Sequence, residues 1–272
     1  MTWTSLWHNG SWSVGIPGRR LTTGHLVLVG QHPGQDTNEA TAADFLDAYR
    51  RARSALWFVV GSRGFASSFA LGWRPAADRI GEPDPISTDD QVLHVFGRAS
   101  SDPLSPVRAM AIAASDREYV GGTDDQLEAL AAALAEGRPV DVPGPSDDDC
   151  DGCAASVLTD QERWRADGVR VIRPRHVMID SQVLVLPLRH VISVGDLTAA
   201  EVVSISGRLD EARRQFAAAS GVTGLSCFVN DGTAARQETP HVHLHVFGRS
   251  VDEPVNPFAL LARRFAPRTG SA

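Results

Sequence analysis

The chain has 272 residues, 43% hydrophobic and 22% charged, with 26 basic against 33 acidic side chains and a net charge of -7. That length and apolar content bury one large core or two ordinary ones. The acidic balance supplies no basic field, which excludes a nucleic acid polymer as partner, although a small nucleotide needs only local donors.

The opening residues MTWTSLWHNGSW carry neither a basic stretch nor a long apolar core, and no segment reaches the ~18 uninterrupted apolar residues of a membrane span. A cytoplasmic protein with no membrane partner is expected. In chain order, HLVLVG (25–30) reads as a strand and LDAYRRARSA (46–55) as an amphipathic helix. QVLHVFGR (91–98) reads as a further strand with a turn behind it. TDDQLEALAAALAEG (123–137) opens on a capping Thr123, repeats its apolar residues at helical spacing and stops at Gly137. RPVDVPGPSDDD (138–149) is linker by its prolines and acidic run. Cys150 and Cys153 follow, then the strand QVLVLP (182–187), the helix LDEARRQFAA (209–218) and an apolar run in which Cys227 is a packed core thiol. Near the end stands HVHLHVF (241–247).

The second half repeats the first. Residues 91–111 align without a gap on residues 242–262, pairing His94 with His245, Arg98 with Arg249 and Pro106 with Pro257. The strands 25–30 and 182–187 and the helices 46–55 and 209–218 match in the same order. Each copy reads as an α+β unit with a mostly antiparallel sheet and a covering helix. The division expected is a first unit over 1–122, a connecting helix and linker over 123–149, and a second unit over 150–272.

Alternation along a β-strand puts His241, His243 and His245 in one row, with Val242, Leu244 and Val246 facing a core. In the first copy the positions of His241 and His243 hold Asp90 and Val92, so only the second copy has the complete row. Cys150-x-x-Cys153 is half of a tetrahedral zinc site or a reduced thiol pair in a loop. Asn230-Asp231-Gly232 is a tight turn or part of a site.

HVHLHVF, the strand and histidine of VLVLPLRHVIS (183–193) and the turn of VNDGTAARQETP (229–240) together resemble the histidine triad (HIT) superfamily of nucleotide hydrolases and nucleotidyltransferases. The duplication is similar to that of the galactose-1-phosphate uridylyltransferases and the dinucleoside tetraphosphate phosphorylases. The resemblance implies two HIT-like units joined as an intrachain pseudo-dimer, in a monomer or a homodimer, with the active site in the second. It implies a small-molecule nucleotide or nucleotide conjugate as substrate. His243 would be the nucleophile at the α-phosphorus, with His245 and N–H groups near Gln237 as donors, and Asn230 and Gln237 as polar contacts. His190 and His241 would complete a structural zinc site with Cys150 and Cys153.

The sequence departs from the family pattern at Glu238, where Ser or Thr usually stands, and at Arg236, which could offset Glu238 or bind a further phosphate. Arg173, Arg175 and His176 lie where an acidic residue commonly holds the ribose. Three readings therefore stand: a nucleotide hydrolase or transferase, a repurposed zinc enzyme acting on a non-nucleotide substrate, and a nucleotide-binding protein without turnover.

Overall fold

The computed structural model describes residues 3–32, 36–73, 82–83, 91–99, 102, 104–142, 144, 150–153, 160–235, 237, 239–253 and 255–264. The first half supplies β1 (Trp3–His8), β2 (Trp12–Pro17), β3 (Gly24–Gly30), α1 (Glu39–Ala55), β4 (Phe65–Leu71), β5 (Val92–Gly97), the short α2 (Pro106–Met110) and α3 (Asp124–Glu136). The second supplies β6 (Glu162–Ala166), β7 (Val169–Ile172), β8 (Gln182–Pro187), α4 (Ala199–Ser220), β9 (Gly224–Asp231), β10 (Leu244–Arg249) and α5 (Pro257–Arg264).

These strands form one ten-stranded sheet in the order β1-β2-β3-β5-β4-β9-β10-β8-β7-β6. Every pairing is antiparallel. The order reads the same from either edge when each first-half strand is exchanged for its counterpart five places later. The duplication is thus visible as a pseudo-two-fold through the joint, where β4 pairs β9 with Ser68 opposite Phe228. Two units have joined edge to edge into one sheet, which removes the exposed edge that each would otherwise present.

Strand alternation divides the core into two. Leu225, Cys227 and Val229 of β9, with Leu244 and Val246 of β10, face the layer of α1, α3 and α4. Phe228 and Phe247 face the other side and pack with Phe96 and with Phe258 of α5. Burial pushes the Cys227 thiol far above its ordinary range, as a core thiol should be. The three long helices, α1, α3 and α4, begin where the sequence supplies caps. Asn38 and Thr41 close a reciprocal capping box on α1, and Thr198 with Glu201 does the same on α4. Thr123 caps α3, which ends at Gly137 with φ at 63°.

The hairpins β1–β2 and β6–β7 extend the expected strand–helix–strand units at both edges. Each has a bulge, between Ser5 and Trp7 and between Glu162 and Trp164, which breaks the alternation by which a strand is recognised. Asp90, Arg236, Glu238 and residues 143 and 145–149 of the linker lie outside the described residues. Among the described residues no helix is long and apolar enough to cross a membrane.

Candidate imidazole and metal site

The three histidines do not share one strand row. β10 starts at Leu244, and His241 turns out of the strand, its amide donating to the carbonyl of Thr239 at 2.7 Å. His245 lies on the Phe247 side of the sheet, with the two rings stacked at 14°. His243 stands next to it, ring centroids 5.2 Å apart, while His241 packs edge-on to His190.

Main-chain carbonyls at the end of β8 and in the segment after it hold this stretch in place. Val191 accepts from the Val242 amide at 2.6 Å, Ile192 from Nε2 of Gln237 at 3.0 Å, and Pro187 from Nε2 of His241 at 2.9 Å. The last bond leaves Nδ1 of His241 as its lone pair. That atom lies 3.6 Å from Sγ of Cys150 and 3.5 Å from Sγ of Cys153, and Nδ1 of His190 lies 3.3 Å from Sγ of Cys153.

All four donor atoms fall within 4.8 Å of one another. A tetrahedral zinc ion, with bonds of about 2.3 Å to sulfur and 2.0–2.1 Å to nitrogen, needs ligand atoms about 3.3–3.8 Å apart, so the donor set fits in both chemistry and spacing. Gly152 makes the approach possible, since a Cβ there would stand 2.7 Å from the ring of His241. Burial, ahead of the charges on His190, His243 and Arg170, holds the His241 imidazole down at about 4, against the opposing pull of the Pro187 carbonyl. It is neutral at pH 7, the form that ligates metal.

His243 meets the carbonyl of its neighbour His241 at 2.8 Å through Nδ1. A carbonyl only accepts, so the ring carries its proton on Nδ1 and its lone pair on Nε2. His245 is buried, and burial, with smaller contributions from His243 and Arg264, holds its pKa well below the usual imidazole value. Asn230 lies on the same face of β9, two residues beyond Phe228, the register partner of His245. Gln237 is also buried, with no partner for Oε1 among the described residues. Arg236 and Glu238 flank Gln237 outside the described residues. Arg173 pairs with Asp180 at 3.5 Å on the surface.

Sequence inspection missed how the first copy braces this site. Asp231, next to Asn230, points to the opposite face and is fully buried; its carboxylate accepts from the hydroxyl of Tyr49 on α1. Arg53 of α1 donates to Ser193 Oγ and to the Val140 carbonyl, and Arg50 Nε donates to the carbonyl of Gly195 at 2.7 Å. Both arginines therefore grip the segment whose preceding residues hold His241 and Gln237. The turn before β4 also touches the loop after β9, where Gly64 is packed against the backbone of Ala234 and Ala235. The matching LDAYRRARSA and LDEARRQFAA helices carried a trace of this, since Tyr49 and Arg53 of the first have Ala212 and Phe216 as counterparts in the second.

The first copy has a different pair in the matching place. His94 stands 3.0 Å from His25, ring nitrogen to ring nitrogen, and the Leu21 amide donates to the far nitrogen of His25 at 3.2 Å. In the second copy Gln182 occupies the position of His25, and its Oε1 accepts from the Met178 amide at 2.6 Å.

Residues 163–252 match the family model described as the HIT domain. The whole chain is similar in structure to the GalT-like protein of Arabidopsis thaliana, with a TM-score of 0.53 at 10% identity over 92% of this chain and 76% of that one. It is similar to the same degree to an ADP-glucose phosphorylase from Arabidopsis thaliana solved with bound ADP-glucose, with a TM-score of 0.52 at 11% identity over 93% and 75%. At such identities it is the two-unit fold that is shared. The C. elegans NitFhit protein matches at 29% identity and a TM-score of 0.33 over 39% of this chain, which spans 26% of that one. No curated protein matches the chain.

Proposed function

Because the chain carries a HIT domain in its second half, we propose that it is a nucleotide hydrolase or nucleotidyltransferase working through a nucleotidyl intermediate on His243. The observation that carries this reading is the 2.8 Å contact of His243 Nδ1 with the His241 carbonyl, which selects the tautomer with a nucleophilic Nε2. Nε2 bonds to the α-phosphorus of a nucleotide conjugate as the bond from phosphorus to the leaving oxygen or nitrogen breaks, and that leaving atom takes up a proton. Water or a phosphate-bearing acceptor then attacks phosphorus and releases Nε2. His245, Asn230 and N–H groups around Gln237 line the face on which charge develops.

Cys150, Cys153, His190 and His241 would hold a zinc ion. Bound there, the metal supplies a structural cross-link that fixes the stretch leading into His243. The first unit serves as scaffold, through Tyr49, Arg50 and Arg53, and the second, residues 150–272, carries the chemistry.

Intact-protein mass after brief exposure to nucleoside phosphoramidates, dinucleotides and sugar nucleotides tests the reading. The expected result is an adduct of one nucleoside monophosphate that His243→Ala abolishes. Neither adduct nor turnover in protein carrying its zinc would overturn it, in favour of a non-nucleotide substrate. Tight nucleotide binding without an adduct would leave a binding protein.

A further inference from the structure

Behind the sheet, on the face away from His243 and His245, α1 and α4 part over the β4–β9 joint and leave a cavity of about 200 Å³. Its walls are Phe45, Phe69, Ile205 and Leu209 with Val229 and Leu244, the last two being the back-facing neighbours of Asn230 and of His243 and His245. Among the described residues no Asp, Glu, Lys or Arg lines it, and His32 is the one imidazole that does. Its polar lining includes Ser206, whose Oγ donates to Thr37 Oγ1 at 3.1 Å, together with Ser11 and Gln91.

Each feature restricts the occupant. Among the described lining residues only His32 could offer a charge, and a phosphate or carboxylate against the apolar walls would lose its hydration without a partner there, which favours an uncharged occupant. An apolar cavity of about 150 Å³ is large enough to stay dry and take benzene. The cavity here is somewhat larger, and its hydroxyl-lined side can satisfy one hydrogen-bonding group. Filling it would also restore dispersion contacts that the walls lack.

We propose that this cavity is a binding site for a small uncharged molecule with a compact apolar body and a single polar group, of about the size of indole. It is separate from the imidazole site, on the opposite face of the same two strands. An occupant would bear on the backs of Val229 and Leu244, and so would lie one sheet thickness from the nucleophile. This inference stands whatever reaction His243 performs.

Titration of the full-length, zinc-loaded protein with indole, followed by calorimetry and by methyl NMR, tests it. The wild type should bind saturably at about 1 mM or tighter, the range open to so small a ligand, and the ring-current shifts should fall on the methyl groups of Val229, Leu244 and Leu209. Ala42→Leu, which fills the cavity from α1, should weaken binding at least tenfold without lowering Tm. Ser206→Leu, placed at the polar side, is the second filling variant should the first fold poorly. The proposal is overturned by a wild type that does not saturate, by shifts confined to other methyl groups, or by binding that survives unchanged in both folded variants.

Discussion

The carbonyl of His241 and the ring of His243 lie 2.8 Å apart, so two histidines separated by one residue are given different tasks by the same short segment. One turns towards sulfur, and the other takes its tautomer from the first one's main chain. Their substitutions should separate accordingly. His243→Ala should lower single-turnover nucleotidyl transfer by about three orders of magnitude or more, as loss of a covalent nucleophile does, and leave zinc content and Tm unchanged. His241→Ala should lose zinc and stability together with activity. Elemental analysis, melting and rapid-quench kinetics on both variants check the split; equal metal loss in the two would contradict it.

Gly64 lies at the start of β4 in the first unit, yet its neighbours belong to the second. A Cβ there would come to 2.3 Å from the amide of Ala235 and 2.5 Å from the carbonyl carbon of Ala234. Both are backbone atoms and cannot swing aside, so Gly64→Ala must displace the loop that leads to Gln237. Gly232 in that loop sits at φ 90°, a conformation that side chains resist. The expected outcome is a stability loss of about 1–3 kcal/mol from overpacking, with turnover falling at least tenfold. Full activity in a folded Gly64→Ala variant would show that the first unit does not set the loop.

Tyr49 donates to Asp231 across the joint between the copies, with both side chains fully buried. Burial, followed by the charge and hydrogen bond of Asp231, raises the tyrosine pKa well above its usual value, so the phenol keeps its proton. Tyr49→Phe removes a donor from a carboxyl that water does not reach. It should cost about 1–3 kcal/mol, read as a lower urea midpoint at unchanged slope. No change in the midpoint would assign the carboxyl's support to Arg53 and Ser193 instead.

Much of this was legible in the sequence because it is written locally. The repeat is a property of consecutive residues and led to the paired units and the helical cover; the cysteine spacing supplied half of the donor set, which the family resemblance completed with His190 and His241. What was hidden depends on long-range main chain. The carbonyls of Pro187, Val191 and Ile192 that hold the site carry no side-chain signal, and any residue there would offer the same oxygen. The strand expected from His241 onward begins instead at Leu244, because the turn towards the two cysteines and His190 overrides alternation, and the edge hairpins escape because their bulges interrupt it. Tyr49 and Asp231 meet from 182 positions apart, a pairing that only the joined sheet reveals.

The first copy's histidine pair makes a further claim about pH. Burial holds His94 down at about 3, and His25 well below its usual value through burial first, then the charges on His94 and Arg20. Both are neutral in the folded chain, whereas unfolded imidazoles titrate near 6.5. Below that pH the unfolded state binds more protons, so the stability these residues confer is complete above about 6.5 and is lost as pH falls towards 3. Each contributes a slope of about 1.4 kcal/mol per pH unit across that window. His25→Gln places here the residue that Gln182 supplies in the second copy, with an amide oxygen able to accept from the Leu21 amide. The variant should therefore fold at pH 7 and lose stability less steeply between pH 6 and 4.5 than the wild type, by about one imidazole's share of the slope. Urea midpoints measured across that range check the sign and size, and parallel curves for the two proteins would mean that the pair does not resist protonation in the folded chain.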